Sequence, residues 1–174
     1  MDFTNLEIPI TGLPQVEDVT FQPLEKDYLV VERISFIIST VVILFIGIAA
    51  FYFIEDAHEL KIILPLAALF VILSIIGWIV IVAGFRFSGY AIRDKDVLYR
   101  SGWFIRKTRI VPLNRIQHVS VQSGPIERKY KLGSVSIFTA GAGQADFTIR
   151  GISESTAHQL KDWLTTQLNG NTTN

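Results

Sequence analysis

The chain has no cysteine. That absence excludes disulfides, thiolate nucleophiles and cysteine-held metal sites together. The common reaction-centre signatures are missing too: there is no Gly-x-Ser-x-Gly elbow, no P-loop and no dinucleotide fingerprint. Histidine is scarce. His118 falls in a strand and His158 on the terminal helix, and neither has a ligand at useful spacing. His58 lies beside Glu55, Asp56 and Glu59, where a solvated polar loop is expected rather than a metal site. No aromatic residue is interleaved with a basic groove, which argues against nucleic acid as a partner. The expectation is a non-enzyme with no cofactor, no metal and no small-molecule substrate.

Charge is absent from two long stretches. Ile34 to Ile54 reads ISFIISTVVILFIGIAAFYFI, and Ile62 to Ala83 reads IILPLAALFVILSIIGWIVIVA. Neither contains Asp, Glu, Lys, Arg or His. As helices, stretches of about 20 residues rising about 1.5 Å each span the roughly 30 Å hydrocarbon core of a bilayer. A chain of 174 residues has too little remaining protein to bury two helices that are apolar all round. Residues 34–83 therefore read as a transmembrane hairpin, with helices over 34–54 and 62–83 joined by the polar run Glu55 to Lys61. Ser39, Gly47 and Ala50 on the first helix, and Ala67, Ala68, Ser74 and Gly77 on the second, are small enough for close backbone approach. Trp78 sits on the membrane side of the aromatic belt formed by Phe85, Phe87 and Tyr90, and could equally pack against the first helix.

The formal net charge of zero conceals an asymmetry. Two basic and seven acidic residues precede Ile34, whereas thirteen basic and six acidic residues follow Ala83. Lys26 and Arg33 flank one end of the hairpin, and Arg86, Arg93, Lys95 and Arg100 the other, against Lys61 alone in the loop. By the positive-inside rule both termini lie in the cytoplasm. The first apolar run starts too late and continues too long for a cleaved signal peptide.

Residues 1–33, with Pro9, Pro14 and Pro23, read as an extended acidic arm serving as a spacer. Tyr28 and Arg33 at its end suit the headgroup layer. Past Gly84 the period falls to about two. Strands are expected over Phe85 to Ile92, Val97 to Trp103, Thr108 to Leu113, Ile116 to Gln122, Ser134 to Thr139 and Ala145 to Ile149. A short helical or irregular piece is expected over Ile126 to Lys131, and Ala140 to Gly143 reads as a hairpin turn. Ser153 is a candidate N-cap for a helix over 153–168, with Ala157, Leu160, Trp163, Leu164 and Leu168 on one apolar stripe. Residues 169–174 read as a disordered tail. Six short antiparallel strands and one amphipathic helix describe a bent sheet or open barrel capped by the helix over 84–168.

The run DVLYRSGWFIRKTRIVPLNRIQHVSVQSGPIERKYKLGSVSIFTAG contains Arg100-Ser101-Gly102, Val111 to Gln117, Glu127-Arg128 and Leu132-Gly133. With these elements it resembles the pleckstrin-homology-like (PH) domain of YdbS-like bacterial membrane proteins. The likeness covers about Leu24 to Leu168, and two membrane helices followed by this domain is also that family's layout. The resemblance implies a membrane-anchored α+β fold in the bacterial cytoplasmic (inner) membrane. It brings no general ligand and no reaction.

Arg106, Lys107 and Arg109 cluster at one strand turn, and Arg128, Lys129 and Lys131 at the irregular piece. These six are the candidate contacts for the anionic lipid surface or a protein partner. Pleckstrin-like domains also take peptides by adding a strand to an open sheet edge. Arg115 and Glu127-Arg128 could line such an edge, though a structural ion pair inside the domain is the preferred reading. The functional expectation is a non-catalytic binding or scaffolding module for the lipid bilayer, another membrane protein or a second copy. The alternative is a small accessory subunit of a transport or export assembly, which the uncharged hairpin disfavours as a conducting path.

Overall fold

The computed structural model of the chain describes residues 19–53, 60–139, 145 and 147–171. The first part of the acidic arm, the loop around His58, the Ala140 to Gly143 turn and residues 172–174 lie outside the described residues.

Helix α1 spans Lys26–Phe53 and helix α2 spans Leu60–Phe87. Pro65 falls early in α2, where a missing N–H removes little. Along their apolar stretches large side chains stand open on every side, among them Val42, Phe45, Ile46, Leu69, Ile72 and Ile76. A core helix of a soluble protein would be covered, so these surfaces require lipid as solvent. Their hydroxyls are satisfied inside each helix: Ser39 donates to Ser35 O at 2.9 Å, Thr40 to Phe36 O at 2.8 Å, and Ser74 to Phe70 O at 2.8 Å. That leaves no unpaired polar group facing hydrocarbon at those positions. The helices meet through Phe36 and Trp78, with ring centroids 6.3 Å apart. Gly77 is used this way: a Cβ there would come within 2.7 Å of the Phe36 ring. Gly47 has nothing within 4 Å.

Helix α1 begins at Lys26, ahead of the apolar run, because its first turns belong to the soluble domain. Leu24, Tyr28 and Val31 are buried in the same core as Val97, Val135, Ile149 and Leu164. Tyr28 is therefore a core residue of the domain, and its hydroxyl donates to Glu32 one turn on. Arg33 stays near the membrane helices, its guanidinium 5.4 Å from the Trp78 ring centroid.

Two antiparallel sheets follow. The first orders β1 (Gln22–Pro23), β2 (Gly89–Ile92), β3 (Asp96–Ser101) and β4 (Lys107–Pro112). Strand β2 starts at Gly89, later than the expected Phe85, because α2 continues through Phe87. The arm supplies β1, which pairs with β2 as a short edge strand compatible with Pro23. A 3₁₀ turn over Leu113–Arg115 leads into the second sheet: β5 (Ile116–Gln122), β6 (Leu132–Thr139) and β7 (Phe147–Ser153), in that order. Helix α3 (Pro125–Lys129) joins β5 to β6.

Helix α4 (Glu154–Asn171) follows β7 without a linker and continues into the expected tail. Ser153 Oγ accepts the Thr156 N–H at 3.1 Å, satisfying one of the free donors of the first turn. Ala157, Leu160 and Leu164 close over the β5–β7 sheet, and Trp163 and Leu168 are partly buried beside them. In β6 Ser134 and Ser136 are buried along with Val135 and Ile137. Ser134 donates to Gln122 O at 3.2 Å, and Ser136 pairs with the Thr148 hydroxyl at 2.9 Å, which offsets the cost of burying these hydroxyls.

Gly151 ties the hairpin to the sheet. Its φ is +70°, and a Cβ there would meet the Tyr28 ring at 2.4 Å. Its carbonyl accepts the Glu25 N–H at 2.8 Å, immediately ahead of α1. Glycine is the residue that allows both the left-handed backbone and this close approach.

Candidate functional site

The six basic candidates occupy two places at the base of the hairpin. Strand β2 leads away from the end of α2, and β3 returns, with Gly89 opposite Arg100. The β3–β4 turn is thereby brought back beside α2. The guanidinium of Arg106 stacks 4.8 Å from the Phe87 ring centroid, and Arg100 Nε donates to Phe87 O at 3.1 Å. Arg100 also covers the Phe21 ring at 4.5 Å. Lys107 and Arg109 follow on β4, opposite Ser101 and Tyr99, and both are exposed. Strand β4 ends its sheet, so its outer edge pairs with no described strand.

Arg128, Lys129 and Lys131 lie beside α1 instead. Helix α3 packs on α1 and β6, and Gly124 to Glu127 line a groove of about 390 Å³ with Val31, Glu32 and Ser35. Arg128 and Lys129 close α3 and are exposed, as is Lys131. Lys131 has a backbone role besides: at φ 54° it donates to Arg128 O at 3.1 Å and accepts the first N–H of α4, from Glu154, at 2.9 Å. Glu127 is not held in an ion pair with Arg115. Its carboxylate accepts the Gly124 N–H at 2.7 Å and closes the start of α3. The two basic groups flank the two helices and do not converge on one pocket.

Sequence reasoning missed a second groove, of about 360 Å³, between the sheets. Tyr28, Tyr99, Ser101, Arg109, Thr148 and Arg150 line it. Tyr99 stacks on Phe147 with centroids 6.0 Å apart and ring planes 6° from parallel. Burial pushes the Tyr99 phenol up, with Arg150 pulling it partly back, and burial likewise raises Tyr90 beside Glu25. Both phenols are therefore protonated at neutral pH, and this groove offers hydrogen bonds and cations rather than a general base. It escapes a one-dimensional reading because Tyr28 and Arg150 are far apart in sequence.

A second omission lay in plain view. The β3–β4 turn reads Gly102-Trp103-Phe104-Ile105, and Trp103, Phe104 and Ile105 are all exposed. Turns are ordinarily polar, so three consecutive apolar residues at a turn were the available signal.

The comparisons agree with this architecture. The family model described as "Bacterial PH domain" matches residues 8–168. The UPF0699 transmembrane protein YdbS of Bacillus subtilis is 33% identical over 73 residues, covering 42% of this chain and 44% of that protein. The UPF0699 transmembrane protein YdbT of the same organism is 31% identical over 90 residues, 51% of this chain and 17% of that protein. The chain thus spans less than half the length of either curated relative. No solved structure matches. A membrane hairpin whose first helix enters the core of a two-sheet, helix-capped domain, matched almost throughout by one family model, shows that the chain belongs to the bacterial PH domain family.

Proposed function

We propose that the protein is a non-catalytic binding and scaffolding module on the cytoplasmic face of the bacterial inner membrane, with both termini inside. One observation carries the reading: Tyr28 and Val31 of the hairpin's own first helix, with Leu24 just ahead of it, are core residues of the PH-like domain. Domain and hairpin are one packed unit. Such a domain gains nothing from reversible lipid binding as a targeting device, whereas permanent anchoring raises its local concentration for partners in the same membrane.

The surface offered for this role is β4. Lys107 to Ile110 is exposed, the sheet ends there, and backbone pairing to an open edge is a recurrent mode of peptide capture. Arg106, Lys107 and Arg109 add charge that favours an acidic partner or the anionic leaflet. The basic flanks of the hairpin support the cytoplasmic orientation.

The test is photocrosslinking in intact membranes from an unnatural side chain at Thr108 or Ile110, with Lys161 on the α4 face as the comparison site. A discrete adduct from β4 and none from α4 is expected. Equal, diffuse labelling from both positions would remove β4 as the binding surface.

A further inference from the structure

We infer that the Trp103-Phe104-Ile105 turn is a second membrane contact, dipping into the headgroup layer of the bilayer that holds the hairpin. The inference goes beyond the binding role above and stands whichever partner β4 takes, because it concerns lipid alone.

Placement comes from register. Strand β2 begins two residues after α2 ends, and antiparallel β3 brings Arg100 back opposite Gly89. Ser101 is then level with Ser88. With a strand advancing about 3.3 Å per residue, the turn beyond it rises alongside the last residues of α2. The 4.8 Å stacking of Arg106 on Phe87 fixes that side-by-side position.

Shape pushes the apolar residues outward. Gly102 has φ +92°, and a Cβ there would sit 2.2 Å from Ile105 O, so the turn closes tightly on its own backbone. No side chain can fold into that space. Trp103 remains 42% exposed, Phe104 88% and Ile105 64%. Phe104 is more open than any large apolar residue of the hairpin whose exposure is described.

Chemistry selects lipid as the occupant. The tip adjoins a helix whose outer surface is already solvated by lipid, so burying it there extends an existing interface. Tryptophan concentrates at this depth, where its apolar body and polar N–H edge are both satisfied, and Phe104 and Ile105 add apolar surface beside it. Arg106 and Lys107 follow the tip directly in the chain, Arg106 lying over the Phe87 ring, and supply charge that matches anionic headgroups. Apolar wedge and adjoining cations together hold the β2–β4 sheet against the leaflet at a point apart from the hairpin.

The absence of cysteine makes the test clean. Single variants Phe104→Cys and Asp94→Cys of the full chain are labelled with a nitrobenzoxadiazole probe and reconstituted in liposomes of neutral and anionic phospholipid. Asp94 marks the opposite end of the same hairpin, in the β2–β3 turn closed by the Arg93–Asp96 ion pair at 2.5 Å. Expected at Phe104 are a blue-shifted emission, quenching by lipid spin-labelled near the headgroup, and loss of quenching by aqueous iodide. At Asp94 the reverse is expected. Equal iodide quenching at both sites overturns the inference. So does a Phe104 probe shielded from iodide yet untouched by spin-labelled lipid, which would assign the tip to a protein contact.

Discussion

Substituting Gly151 by alanine is expected to loosen the joint between hairpin and domain. Two costs add. At φ +70° an L-residue loses about 1–2 kcal/mol relative to glycine. The new methyl would also lie 2.4 Å from the Tyr28 ring, and overpacking of a tight core costs about 1–3 kcal/mol. The sum, about 2–5 kcal/mol, is a large part of the 5–15 kcal/mol that a domain typically has. The assay is thermal unfolding of the detergent-solubilised full chain, followed by near-ultraviolet circular dichroism. Each kcal/mol moves the midpoint by roughly 4–8 °C in a domain of this size, so a fall of at least about 8 °C is expected. A double-mutant cycle isolates the contact: with Tyr28→Ala the ring is gone, and Gly151→Ala should then cost only the backbone share. An unchanged midpoint for Gly151→Ala, or full additivity with Tyr28→Ala, would refute the claim that α1 is locked to β7 here.

Leu164 is fully buried, so Leu164→Ala should lower stability by about 2–5 kcal/mol in the same assay, and a tolerated Leu160→Ala, Leu164→Ala pair would exclude α4 from the core. Tyr90 and Tyr99 both titrate above the ordinary value of 10.0, so the unfolded chain releases these protons first; stability is intact below about pH 10 and declines as pH rises beyond it. Chemical denaturation midpoints measured into the alkaline range should show that decline, and Tyr99→Phe should flatten it. A reporter fused at Asn174 should read cytoplasmic and one inserted at His58 external; the opposite pattern would invert the proposed orientation. A fragment starting at Arg86 lacks Leu24, Tyr28 and Val31, and should aggregate or unfold where the full chain does not.

Much of this protein was legible in one dimension. Two uncharged runs of bilayer length determine a hairpin, because hydrocarbon accepts few other structures and rejects charge. The period-two pattern after Gly84 and the 3.6-residue stripe on α4 determine strands and a capping helix, since each must bury one face. Tertiary structure decided the rest. That α1 starts at Lys26 and carries Tyr28 into the core depends on Gly151, a contact between residues far apart in the chain. That β6 is buried on both faces depends on what packs over Ser134 and Ser136, which alternation cannot report. The basic residues were visible from the start, but their division between the α2 side and the α1 side follows from strand register and the packing of α3. Composition names the side chains that can meet lipid or a partner; only the return of β3 to the end of α2 decides which of them stand beside that helix.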